Sequence, residues 1–256
     1  ILYDHTGNAN HGTINGAAWS TDVPVLGCTD PYADNYDSNA TVDDGSCSGY
    51  PDNGDYALSF DGVDDYATIE GLSDAVDNSS VTLMGWFKST SNGENNLYLE
   101  GLFGFRDYPN ADGNFFALMN WTGLGDNPGI ECYGGVSGNI NLTPDDDTWY
   151  HLTLVYDNTN ALFSTYLNGA LVESNTITND PITPSVDLLI GNNVVNGNWF
   201  LQGGIDDLSL WTIPLSQSEI QNYITNELNG EEENLVGYWK FNSGTSEILY
   251  DHSGNG

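Results

Sequence analysis

Basic residues are almost missing from this chain. Lys88, Arg106 and Lys240 stand against 37 acidic residues, a formal net charge of −34 over 256 residues. So few cations cannot neutralise phosphates, which excludes nucleic acid as a partner, and anionic membrane surfaces repel such a chain. Long apolar runs are also missing: nothing approaches the roughly 18 consecutive apolar residues of a membrane-spanning helix. Cysteine is scarce, at three residues, and helical periodicity is confined to one segment. The first residue is Ile and no signal peptide precedes it, so the chain reads as a processed or excised piece of a longer product. The acid excess has two readings. Solubility in high salt, where self-repulsion is screened, accounts for most of it. Divalent cations, which take carboxylate and carbonyl oxygens, account for the rest.

What is present begins with a repeat. Ile1-Leu2-Tyr3-Asp4-His5-Thr6-Gly7-Asn8 returns as Ile248-Leu249-Tyr250-Asp251-His252-Ser253-Gly254-Asn255, with one hydroxyl residue exchanged for another. Self-similarity at a fixed offset points to an array. Between the two copies, aromatic and β-branched runs bounded by Gly, Asn and Asp read as strands. They are 56–60, 81–87, 149–156, 161–167, 188–190, 205–211 and 235–241. Asn168-Gly169 is a hairpin turn, because both residues tolerate positive φ. Ser216 with Glu219, followed by Ile220, Tyr223 and Ile224, predicts one short helix near 216–228. The fold class expected is all-β, a two-sheet antiparallel sandwich. With 39% hydrophobic residues and seven Trp, a packed core is available to it.

Cys28 and Cys47 flank a polar, Asp-rich loop and are expected to pair, which implies an oxidising, extracellular setting. Closing that loop contributes about 3 kcal/mol in the chain-entropy model. Cys132 is then a buried free thiol.

Three blocks, in order, resemble laminin-G-like, concanavalin A-like jelly-roll domains: Ser59-Phe60-Asp61-Gly62-Val63-Asp64-Asp65-Tyr66, then Trp149–Val172, then Gly203–Trp211 with Pro214–Ile220. The resemblance covers most of residues 50–228. It implies a jelly roll in a largely noncatalytic family that binds glycans or proteins, mediates adhesion and often holds a structural calcium. The segment Gly27–Cys47 interrupts it and resembles a short module of large secreted proteins from marine Bacteroidetes-type bacteria. The order departs from the family at one point. A strand like Leu235-Val236-Gly237-Tyr238-Trp239-Lys240-Phe241 normally opens such a domain, and here it closes the chain. The domain expectation is therefore a sandwich over 1–234, interrupted at 27–47, with 235–256 starting a next copy or donated to a neighbouring subunit. Packing within the same chain, as a circular permutation, is the third option. If the strand is donated, Leu235, Val236, Tyr238, Trp239 and Phe241 form the assembly strand, with Trp239 and Phe241 entering the partner's core. A head-to-tail contact that does not close makes a filament.

Calcium is the cofactor expected. One candidate set is Asp61, Gly62, Asp64 and Asp65 with Asp206, which the resemblance places on neighbouring strands with Asp207 alongside. The other is Asp30, Asp34, Asp37, Asp43 and Asp44 on the disulfide-closed loop, where turns built by Asp side chains are an equal reading. Tyr108, Trp121, Tyr133 and Trp199 lie in Gly/Asn-rich segments and are candidates for stacking on sugar rings; capping the core is their bland alternative. Catalytic patterns are missing. The Glu-x-Asp-x-x-Glu strand of concanavalin-like glycosidases, a Gly-x-Ser-x-Gly elbow and a His-Glu-x-x-His motif are all absent. His5, His11, His151 and His252 are scattered, and no catalytic residue is assigned. The sequence thus points to a secreted, calcium-stabilised repeat unit of an extracellular filament or adhesin whose partners are copies of itself. An isolated carbohydrate-binding module, with extracellular glycans as partners, is the alternative.

Overall fold

The computed structural model describes residues 3, 5–10, 12–21, 23–90, 99–106, 113–121, 128–145, 147–178, 182–193, 197–245 and 247–255. Two residues each make β1 (Leu26–Gly27), just before Cys28, and β2 (Val42–Asp43), inside the Cys-flanked loop; the two pair in parallel. Then follow β3 (Leu58–Asp61), β4 (Ala67–Ile69), a one-turn helix α1 (Ser73–Val76), β5 (Val81–Ser89), β6 (Leu99–Phe105), β7 (Phe115–Asn120), β8 (Gly129–Gly134) and β9 (Ser137–Asn141). The second half adds β10 (Tyr150–Asp157), β11 (Leu162–Leu167), β12 (Ala170–Thr176), β13 (Leu188–Ile190), β14 (Gln202–Trp211), α2 (Gln217–Thr225) and β15 (Leu235–Trp239). Among the described residues no helix is long and apolar enough to cross a membrane.

Two antiparallel sheets carry the domain. One runs β12-β11-β10-β5-β14-β15 with β3 also on β14; the other runs β4-β13-β6-β7-β8-β9. Alternation sends Phe115, Ala117 and Met119 of β7 and Leu152, Leu154 and Tyr156 of β10 into one core between the sheets. The hairpin turn forms as its sequence demands: Asn168 has φ 50° and Gly169 φ 73°, both in the left-handed region.

The helix lies on the outer face of the larger sheet. Ser216 caps it and Glu219 completes the capping box, as expected. Gln217 and Gln221 donate to the Gly169 carbonyl at 3.1 and 3.0 Å, tying the helix to the hairpin below. Ile220, Trp211, Tyr166 and Tyr238 form a second apolar cluster beneath it. The short helix α1 carries no side-chain cap and was not foreseen from the sequence.

The last strand settles in its own molecule. Residues Leu208–Leu210 of β14 pair with Trp239–Gly237 of β15, while Gln202–Ile205 pair with Asp61–Leu58 of β3. Thus β3 and β15 share one edge of β14, end to end. Trp239 and Phe241 enter the central core of this chain rather than a partner's. The junction is sealed by Asn53 donating to the Asn242 carbonyl at 2.8 Å and Tyr56 N–H to Asn242 Oδ1 at 2.9 Å. In this single chain β15 pairs in cis and fills the second half of that β14 edge. Trp239→Ala is therefore expected to cost about 3–5 kcal/mol. Thermal and denaturant melts should show that loss unchanged over a hundredfold range of protein concentration; a concentration-dependent midpoint would contradict packing in cis.

Candidate functional site

Four groups of residues could meet a ligand. The first is an aromatic ladder on the outer face of the smaller sheet. Phe116 of β7 and Tyr133 of β8 are cross-strand partners, and alternation turns them away from the core. Their rings stack at 5.9 Å with planes 17° apart. Arg106, directly after β6, lays its guanidinium 4.6 Å from the Phe116 ring and 4.3 Å from that of Trp199. The order across the face is Trp199, Arg106, Phe116, Tyr133. Glu131, held by Asn120 Nδ2 at 2.9 Å, lies on the same face, as does Asn139 opposite it on β9. Ring faces beside amide and carboxylate groups suit a pyranose, whose apolar face stacks while its hydroxyls find polar partners.

Two of the four aromatic candidates, Tyr133 and Trp199, thus come together on one face. Trp121 does not join them: its ring packs against the central core, and its indole N–H finds no acceptor among the described residues. Tyr108 lies outside the described residues. Phe116 and Arg106 were missed, because a strand phenylalanine reads as core and a lone arginine carries no motif.

The second group is acidic. Asp61, Asp64 and Asp65 bring one carboxylate oxygen each within 4.8 Å of one another, all exposed. Gly62, at φ 79°, turns the chain between them. The loop also uses these carboxylates internally: Asp61 Oδ1 accepts from Val63 N–H at 2.8 Å and Asp65 Oδ2 from Asp61 N–H at 3.0 Å. Three acidic oxygens open to water, with free carboxylate oxygens left over, match the hard-oxygen donor set of calcium. Asp206 does not belong here. Asp61 pairs with Gln202, so Asp206 lies four positions along β14, roughly 13 Å away at strand rise.

The insertion loop yields no such cluster. The bridge between Cys28 and Cys47 forms as expected, and Cys132 is free and buried. The aspartates inside it serve the turns. Asp30 accepts from Tyr32 N–H at 2.9 Å and from the Tyr50 hydroxyl at 2.9 Å. Asp37 accepts from Asn39, Asp43 from Gly45 N–H and Asp44 from Ser46 N–H. Asp34 packs against Gly49. Among the described residues these aspartates form no group of three carboxylate oxygens close enough to share an ion, and Asp37, Asp43 and Asp44 each accept from a backbone N–H two residues ahead, the turn-building reading of the loop.

The third group surrounds a cleft of about 340 Å³ under the end of α2, lined by Trp86, His151, Asp206, Asp207, Tyr223 and Tyr238 among others. A β-bulge between Asp206 and Ser209 creates it, with Asp207 at φ 47°. Burial, and next the neighbouring Asp207 carboxylate, push Asp206 up to about 7. Burial also raises Asp207, opposed by the Tyr238 hydroxyl, which donates to it at 3.1 Å. His151, edge-on to Trp86 at 5.2 Å, is pushed down to about 4 by burial. The fourth is a groove of about 1040 Å³ whose walls include Tyr32, Asp65, Tyr66, Glu70, Tyr250 and His252. It is the larger of these two hollows, yet none of its walls belongs to the ladder. The ladder residues line neither hollow, so hollow size does not choose between them.

With the fold and these groups in view, similarity to known proteins narrows the reading. The Laminin_G_3 family model, of the concanavalin A-like lectin/glucanases superfamily, matches residues 61–221, more than half of the chain. The chain belongs to this family. None of the curated proteins compared matches it. Among solved structures, a Bacteroides ovatus protein inferred to bind carbohydrate superposes on this laminin-G-type chain with a TM-score of 0.61 at 17% identity. The match covers 86% of this chain and 62% of that one. The CBM40 of the Ruminococcus gnavus IT-sialidase superposes with a TM-score of 0.50 at 16% identity, over 67% of this chain and 96% of its own. At such identities the likeness is one of fold.

The cleft generates a pH prediction. A carboxyl raised in the folded state stabilises below its unfolded pKa, and that stability drains as pH climbs through about 7. A histidine lowered to about 4 acts oppositely: its contribution is present above its ordinary value and is lost as pH falls toward 4. Asp206→Asn is expected to raise the melting temperature near pH 8 and to change it little near pH 4. The loss on acidification that His151 causes remains in this variant. Melts across that range check both signs; equal gains at the two ends would refute the assignment.

Proposed function

We propose that this laminin-G-type domain is a noncatalytic carbohydrate-binding module of an extracellular protein. The observation that carries the reading is the ladder of Trp199, Arg106, Phe116 and Tyr133, a stacking platform flanked by Glu131 and Asn139. Trp199 and Tyr133 stack on successive faces of the glycan, and Arg106 keeps the two aromatic arms in register by filling the space between Trp199 and Phe116. The carbohydrate-binding likeness of the superposed proteins supports this, and the Cys28–Cys47 bridge supports an oxidising, extracellular setting. A filament built by donating β15 is not carried forward, since that strand fills the edge of its own sheet. A glycan array followed by calorimetry tests the proposal. A hit should weaken at least about tenfold with Trp199→Ala and with Tyr133→Ala, each removing one stacking ring. Binding that survives both substitutions moves the site elsewhere, and polysaccharide cleavage by the protein would overturn the noncatalytic reading.

Asp61, Asp64 and Asp65 are proposed to hold one structural calcium, with water completing its shell. Calcium in hundredfold excess over its dissociation constant would then add about 2.7 kcal/mol of stability. The melting temperature should rise with calcium, fall back with a chelator, and stop responding in Asp65→Asn. A calcium response retained in that variant would place the ion at another site.

A further inference from the structure

The cleft under the end of α2 is walled for a cation that the chain itself does not supply. Three adjacent strands form its floor. His151 of β10 and Asp206 of β14 are the cross-strand partners of Trp86 in β5, one on each side of it. Their chain neighbours Leu152, Ile205 and Phe87 face the core, so alternation turns the row of His151, Trp86 and Asp206 outward. This is the sheet face that carries α2, on the far side of the sandwich from the aromatic ladder. The last three residues of the helix, Tyr223, Ile224 and Thr225, close one side of the cleft.

These walls favour positive charge. Asp206 and Asp207 both line the cleft, and none of the three basic residues does. Lys240 gives its ammonium to Glu227 at 2.6 Å and to Asp52 at 3.2 Å, and Lys88 turns to Asp147 and the Trp149 ring. Asp206 Oδ1 accepts from Asp207 N–H at 2.9 Å, while its Oδ2 has no partner among the described residues. The C-terminal end of α2 adds partial negative charge and carries no basic residue in its last turn. The independent sign of a ligand is His151. Its side chain lines the cleft yet is only 3% exposed, and burial keeps the imidazole neutral. Nδ1 lies 3.4 Å from the Thr153 hydroxyl, and Nε2 has no partner among the described residues. A metal ion does not match these walls. Among the described residues His151, Asp206 and Asp207 do not bring three ligand atoms within 4.8 Å of one another.

We propose that this cleft is a second binding site, for the protonated primary amine of a small organic molecule. The ammonium group sits against Asp206 and Asp207, and its N–H groups are accepted by the open carboxylate oxygen and by the free imidazole nitrogen. The Trp86 indole between them attracts the charge through its ring. At about 340 Å³ the cleft is near the lower end of small-molecule sites, so it takes one small amine and not a glycan chain. The site stands whether or not the ladder binds glycans, because the two share no residue.

The test follows the Trp86 indole N–H resonance of the full chain by NMR, at neutral pH and physiological salt. The probes are glucosamine, its neutral counterparts glucose and N-acetylglucosamine, and the aliphatic diamine cadaverine. At least one amine should shift the Trp86 signal saturably, and the neutral sugars should bind at least about tenfold more weakly than that amine. Tighter binding of glucosamine marks an amino sugar as the ligand; tighter binding of cadaverine marks an aliphatic amine. Asp206→Asn should weaken the amine at least about tenfold, and since this variant is expected to be no less stable, lost binding is not lost folding. Tyr133→Ala, on the ladder, should leave the titration unchanged. No shift at Trp86 with either amine, neutral sugars that bind as tightly, or equal binding by Asp206→Asn overturns the proposal. The comparison of charged with neutral probes needs no variant at all.

Discussion

Everything in this sandwich hangs on how one edge of β14 is divided. A ten-residue strand cannot be left half-paired in a buried sheet, because each unmatched N–H or C=O costs about as much as a lost hydrogen bond. Here β3 takes the first half of that edge and β15 the second, and the two come from opposite parts of the chain. The bulge at Asp206–Asp207 falls at the joint between them. It frees the chain to turn its two acidic side chains outward, and it opens the cleft beneath α2. Core and cleft therefore follow from one pairing decision.

The sandwich itself was legible because its signals are local. Strand alternation in 81–87 and 149–156, the Asn168-Gly169 turn and the Ser216/Glu219 box each dictate their own backbone, and each appears where its chemistry requires. The placement of 235–241 was less so. Main-chain pairing looks the same in a strand whether its partner lies in the same chain or another, so the residues could name the strand's core face but not its owner. The site was half legible. Tyr133 and Trp199 announced themselves as aromatics in polar surroundings, but what joins them is Arg106 threaded between rings from β7 and a distant loop, a contact with no sequence spacing to betray it. The aspartates of the insertion were ambiguous between metal and turn for a related reason. Counting carboxylates ignores direction, and Asp37 and Asp44 spend theirs on backbone N–H groups two residues ahead.

Charge is organised as sparingly as it is distributed unevenly. Lys88 meets Asp147 and Lys240 meets both Asp52 and Glu227, while Arg106 is bracketed by aromatic rings. The Lys240 contacts tie the end of β15 to the segment before β3 and to the chain beyond α2, so the strand that closes the sheet is also clamped at its exit. Against 37 acids these contacts add little neutralisation, and their value is positional.

That same economy of cations bears on how such a domain would last outside a cell. A protease that cuts after lysine or arginine finds three places in 256 residues. Lys88 lies inside β5, and Arg106 and Lys240 follow directly on β6 and β15, where the backbone is held in or beside a hydrogen-bonded ladder. Cleavage needs an extended, detached segment, so trypsin-like enzymes would have to wait for the sheet to open. A surface built almost without basic residues is thus also a surface with almost no tryptic handles.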